Sequence, residues 1–187
     1  MNNKQTVLVV IDVQCGIVND PSLTRKKEIN QAFDNTVLRI RSLLDRARAA
    51  HAPVIFVQHD GVPGHRLETN TPGWAIRPEI SPRPEEPVIH KRSPDAFFET
   101  RLQEELSARK AKQLVIAGCM TQYCIDTSVR RAVSLGYDVV LAADGHATAD
   151  TPTLRFEQII AHHNSVLDGF DAGDHQVRVV PSSKITF

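Results

Sequence analysis

A chain of 187 residues, 41% hydrophobic and 24% charged, is long enough to bury a core of its own and too apolar to stay disordered. Lys plus Arg and Asp plus Glu both number 22, which excludes the basic footprint of a nucleic-acid binder or a polybasic membrane anchor. The three cysteines, Cys15, Cys119 and Cys124, cannot all pair within one chain and read as thiols of a reducing compartment.

No apolar run approaches the ~20 residues that span a bilayer. Met1 to Thr6 is polar and has no signal-peptide pattern. A cytoplasmic protein is the expectation. Val7 to Ile11 is a nearly continuous apolar run rich in β-branched residues, ending at Asp12. That is the pattern of a parallel strand buried on both faces. Pro21 and Ser22 mark a loop. Ile29, Phe33, Val37, Ile40, Leu44 and Ala47 recur at helical spacing and predict an amphipathic helix of about five turns. Pro53 to Val57 is a second strand, with Gln58, His59 and Asp60 at its carboxyl edge. Residues 61–86 are punctuated by Gly and Pro, and a loop of that length inside a compact domain is functional or mobile. It holds the chain's single Trp, Trp74.

Pro87 to His90 predicts a third strand, ending at Lys91. Thr100 and Gln103 have the spacing of a capping box, ahead of a helix with Leu102 and Leu106 on one face. Gln113 to Ala117 is the fourth strand and ends at Gly118. A helix follows with Ile125, Val129, Ala132 and Val133 on one side and Gly136 as its stop. Tyr137 to Ala143 is the fifth strand. Thr151-Pro152 reads as the cap and first position of a last helix running to about Asn164. Val177 to Val180 is the sixth. Six strands with helices between four of their five pairs predict one domain over residues 1–187. Its fold class is α/β: a three-layer, Rossmann-like α/β/α architecture on a mostly parallel sheet.

In such sheets ligands bind beyond the carboxyl ends of the strands. Asp12, Lys91 and Cys124 therefore fall on the ligand-binding edge, Cys124 in the first turn of the helix after strand four. A thiol near a helix N-terminus and a lysine is favoured as thiolate. A thiolate can attack an amide carbonyl. Asp12 suits proton transfer, and backbone N–H groups from Met120 to Cys124 suit an oxyanion. Taken singly, each residue has a plainer reading: a turn carboxylate, a solvated lysine, a buried thiol. Their convergence favours an amide hydrolase. A redox-sensing thiol on the same scaffold is the rival from another class.

These segments resemble the isochorismatase-like cysteine hydrolase family. Val9 to Gln14 is similar to its first-strand motif, and Val88 to Arg92 to its lysine strand. Ala117 to Cys124 is similar to its Gly-x-x-Thr-x-x-Cys nucleophile segment. Ala96 to Leu102, Gly136 to Val139 and Ala143 to His146 match in kind, in the family's order. The resemblance implies a cofactor-free hydrolase with Cys124 as nucleophile, Asp12 as acid/base and Lys91 as third member of a triad. It implies a cis peptide before Met120, whose N–H joins that of Cys124 in an oxyanion hole. It also implies a homo-oligomer, dimer or tetramer, acting on a small molecule.

Family members that cleave a vinyl ether do not need the thiol, so Cys124 favours C–N hydrolysis, with vinyl-ether cleavage as the alternative. Nicotinamidases carry Asp-x-His after the second strand and bind a metal. Here the stretch is Gln58-His59-Asp60. His59, Asp60 and His65 form a conceivable metal set, but no metal is expected. Gln14, Trp74 and Tyr123 are the candidate substrate contacts, although Trp74 equally suits a loop anchor. Cys15 and Cys119 read as structural thiols, with a Cys119–Cys124 disulfide geometrically untested. His162-His163 reads as a surface or interface feature, and Asp144 and His146 as a structural turn.

Overall fold

The computed structural model describes residues 5–20 and 23–187, so the loop expected at Pro21 and Ser22 and residues 1–4 lie outside the described residues. Seven strands form one sheet: β1 (Thr6–Ile11), β2 (Val54–His59), β3 (Val88–Lys91), β4 (Gln113–Cys119), β5 (Asp138–Ala147), β6 (Asp171–Ala172) and β7 (His175–Val180). Their order is β3-β2-β1-β4-β5-β7-β6. All neighbours are parallel except β6, which pairs antiparallel with β7 at the edge. The expected strands are all present. The seventh is β6, two residues long and too short to leave a hydrophobic period.

Alternate residues of the central strands feed two cores. Leu8, Val10, Val54, Phe56, Val115 and Ala117 meet helix α1 (Lys26–Ala49) on one face. Val7, Val9, Ile11, Ile55, Val57, Leu114 and Ile116 pack on the other with α2 (Leu102–Ala108) and α3 (Asp126–Ser134). Burial on both faces is why these strands read as unbroken apolar runs. The fourth helix, α4 (Phe156–Leu167), sends Phe156 to the first core and Leu167 to the second.

Two expected helix starts are corrected. Thr100 and Gln103 form no capping box. The Thr100 hydroxyl donates to the Ala96 carbonyl at 2.6 Å and accepts the Leu102 N–H at 3.3 Å, tying down the preceding turn. Thr151-Pro152 does not open α4, because Thr151 closes its own turn with Leu154. The helix begins at Phe156, whose N–H is taken by the Asp150 carboxylate at 2.8 Å.

The chain runs outward from β1 to β2 and β3, then returns to lay β4 on the other side of β1. The crevice between β1 and β4 is thus the point where strand order reverses, the favoured ligand position in an open α/β sheet. Ile11 pairs with Gly118 there. Gly118 has φ +136°, and a Cβ on it would lie 2.0 Å from the Ile11 carbonyl oxygen. Only glycine permits that approach.

Candidate active site

Asp12 leaves β1 in the left-handed region, φ 52°, anchored by its N–H to the Val57 carbonyl at 2.9 Å. Few residues other than Gly, Asn and Asp adopt that conformation readily. It brings the fully buried Asp12 carboxylate to Lys91, with Oδ2 and Nζ 2.6 Å apart. Lys91 Nζ also donates to Cys124 Sγ at 3.2 Å and to the Ser93 carbonyl at 2.9 Å. The three groups expected from three separate strand ends therefore stand in mutual contact.

Beyond β4 the Cys119–Met120 peptide is cis. The chain then makes a wide turn over Thr121–Ile125, in which Ile125 N–H reaches back five residues to the Met120 carbonyl at 3.2 Å. Such wide turns are frequent at functional sites. Cys124 thus precedes α3, where the sequence spacing places it in that helix's first turn. One side chain of β5 and one just past its end hold the turn. His146 Nδ1 lies 2.9 Å from the Thr121 hydroxyl, and the Thr148 hydroxyl donates to Gln122 Oε1 at 2.6 Å. His146 reaches Thr121 because the β4/β5 register jumps from Ile116–Leu141 to Gly118–His146. The bulge re-aims it.

The electrostatics correct one expectation. The Cys124 thiol is not held as thiolate: burial, and then the Asp12 charge, push it up to about 12 against the pull of Lys91. Burial also raises Asp12, with Lys91 drawing it back. Burial alone would lower Lys91, but Asp12 and Cys124 hold it above its ordinary value as an ammonium. A protonated thiol beside a carboxylate primed to take protons is the result.

Cys124 opens into a cavity of about 180 Å³ that Asp12, Ile17, His59, His65, Arg66, Leu67, Met120 and Tyr123 also line. A larger cavity of about 370 Å³ is lined by Lys91 with Asp60, His90, Ser93 and Phe98, and Cys124 does not line it. Tyr123 stands half-exposed at the smaller cavity, as a substrate contact requires. Gln14 does not offer its amide to that space. Both Nε2 hydrogens are used, on the His59 carbonyl at 3.0 Å and the Trp74 carbonyl at 2.8 Å, and Oε1 accepts the His59 N–H at 3.0 Å. Trp74 is an anchor: its Nε1 donates to Asp60 Oδ1 at 2.8 Å and its ring stacks on His90 at 5.8 Å.

His59 and His65 face each other at 5.7 Å. Asp60 is turned instead to Trp74 and His90. Among the described residues no group of three or more His, Cys, Asp or Glu is placed to hold a metal ion. Cys15, Cys119 and Cys124 are all free thiols. Arg66 is the cavity residue that periodicity gave no means of finding. It lies in the loop between β2 and β3, where no regular spacing exists. The sole sequence signal was a cation within an otherwise Gly- and Pro-rich stretch.

Among known proteins, the family model described as Isochorismatase domain matches residues 6–161. A streptothricin hydrolase of Streptomyces noursei is 37% identical over 145 residues, 78% of this chain and 50% of that protein. A ureidoacrylate amidohydrolase of Rhizobium rhizogenes is 28% identical over 170 residues, 75% of this chain and 69% of that protein. The crystal structure of an isochorismatase from Pseudomonas putida matches with TM-score 0.84 at 29% identity, over 99% of this chain and 92% of that one. The chain spans about half the length of the streptothricin hydrolases it matches.

Proposed function

The chain belongs to the isochorismatase family, and from that membership we propose that it is a single-domain, cysteine-dependent amidohydrolase of small amide, carbamoyl or ureido compounds. The observation that carries the reading is the buried contact of Asp12, Lys91 and Cys124, with Asp12 and Cys124 opening on one cavity. The names of its relatives, a streptothricin hydrolase and a ureidoacrylate amidohydrolase, support hydrolysis.

Asp12 takes the Cys124 proton as Sγ bonds to the substrate carbonyl carbon. The carbonyl oxygen becomes an oxyanion, held by the N–H groups of Met120 and Cys124. One lost donor of this kind costs roughly 10²–10³ in rate. Asp12 then gives the proton to the departing nitrogen, the C–N bond breaks, and an S-acyl enzyme remains. Water adds to that thioester while Asp12 takes its proton. The C–S bond breaks, the proton returns to Sγ and the acid leaves. Lys91 stays an ammonium throughout and steadies each anionic partner in turn. Tyr123 borders the substrate. Gln14 and Trp74 position the cavity wall.

The test is ammonia or amine release across small amides, ureides and nicotinamide, with wild type beside Cys124→Ala. Turnover that vanishes in the variant is the expected result. Isochorismate cleavage that survives Cys124→Ala overturns it in favour of a vinyl-ether hydrolase. No turnover of any compound overturns it in favour of a redox thiol. The reading extends to a cytoplasmic homo-oligomer, dimer or tetramer. Solution scattering giving the mass of one chain at working concentration would refute the assembly.

A further inference from the structure

Arg66 lines the same cavity as Cys124. Its backbone is locked in place. A Cβ on Gly16 or on Gly73 would lie 2.4 Å from the Arg66 carbonyl oxygen. The Gly16 N–H donates to the Gly73 carbonyl at 2.8 Å, and the Gly61 N–H to the Leu67 carbonyl at 2.9 Å. Three glycines thus clamp residues 66–67 between β1's exit and the rest of the loop.

The guanidinium is held without a counter-charge. Its Nε is buried and has no hydrogen-bond partner. Its Nη2 meets Met120 Sδ at 3.2 Å, a weak acceptor. Among the described residues no carboxylate lies within ion-pair distance of it. Asp12 is paired with Lys91, and Glu68 accepts the Gly64 N–H. His59, kept neutral by burial and the neighbouring cations, offers the guanidinium no charge of either sign. Arg66 is partly buried, so apart from the weak Met120 contact the outer N–H groups of its fork are free of acceptors among the described residues and open to a ligand in the cavity. Its planar fork matches a carboxylate in two parallel bonds.

Resting on the amidohydrolase reading above, we propose that the substrate is itself an anion: a small amide, carbamoyl or ureido compound whose carboxylate pairs with Arg66 while its scissile carbonyl lies at Cys124. The cavity of about 180 Å³ is below the ~300 Å³ of ordinary drug-sized sites, so the compound is short. Arg66 is thus a specificity residue, and cationic amides are disfavoured in the same site.

The test uses short ureido and amido acids, such as 3-ureidopropionate and N-carbamoylglycine, each beside its methyl ester. Wild type is expected to favour the acids by about ten- to a hundredfold in kcat/KM, the range of one charge-assisted pair. Arg66→Gln should erase that preference chiefly through KM, and Arg66→Lys should restore part of it. Calorimetry of the same acids and esters on Cys124→Ala reads binding apart from chemistry. Equal turnover of acids and esters by wild type overturns the proposal and leaves the hydrolase standing. So does a preference that persists in Arg66→Gln. Arg66-dependent binding of acids without turnover of any compound keeps the anion site and overturns the hydrolase. Neither turnover nor acid binding overturns both.

Discussion

Cys124 is set for attack by its neighbour rather than by its own acidity. With the thiol pushed up to about 12, little thiolate exists near neutrality. The rate of iodoacetamide alkylation should therefore keep climbing with each pH unit from 7 to 10. A preformed thiolate would give a flat profile over that range. Lys91 has a second duty, because Asp12 is fully buried with it. Removing one partner of a buried pair strands the other charge, at a cost of about 3–5 kcal/mol. Lys91→Met should lower the urea midpoint accordingly. The double variant Asp12→Asn/Lys91→Met should recover much of that loss while remaining inactive. Midpoints that fall equally in single and double variants would contradict the pairing argument. These three residues were legible in the sequence because strand ends share one edge of a parallel sheet. The protonation of Cys124 was not, since burial depends on what the intervening loop packs over it.

At the scale of elements, the nucleophile turn depends on a strand it does not belong to. His146 of β5 and Thr148, just past the strand's end, reach Thr121 and Gln122. Thr148→Val removes one bond, worth about 1 kcal/mol of stability. If the bond positions the turn, kcat should fall by more than KM changes; a merely structural role would lower the melting midpoint and leave kcat intact. Strands and long helices were readable from hydrophobic period, and α1 shows why: its buried residues run from Ile29 to Ala47 at helical spacing. The helix starts were misread for a local reason. The Thr151 hydroxyl had a nearer backbone partner than the helix end, and Thr100 stands one residue outside the N-cap Arg101, its hydroxyl shared between the Ala96 carbonyl and the Leu102 N–H. The substrate loop left no period to read, so Gln14 was assigned to the cavity although its amide ties the loop to β2. Arg66 went unseen.

The fold class of the molecule was foreseeable, because near-continuous apolar strands alternating with helices admit few topologies, whereas the strand order and its switch point came only with the structure. What pattern alone also left out is how that core responds to acid. His146 joins the nucleophile turn to α4: Nδ1 faces the Thr121 hydroxyl and Nε2 faces Asn164 Oδ1 at 2.9 Å. The Asn164 amide nitrogen donates to the Ala143 carbonyl, so its oxygen is left to accept from Nε2. Burial lowers His146 from 6.5 to about 4, with Asn164 and Asp144 opposing and His163 adding to the shift. Above pH 6.5 both folded and unfolded chains carry it neutral. Between 6.5 and 4 the unfolded chain binds a proton that the folded chain refuses, so stability falls as pH falls. Below 4 both are charged and the loss stops growing. The shift corresponds to about 3 kcal/mol. Asp12 works in the opposite sense, since a raised carboxyl stabilises the fold toward acid. The comparison must therefore be between wild type and His146→Gln. Urea midpoints of wild type should drop through this window, and those of the variant should drop less. Parallel curves would assign the acid sensitivity to another group.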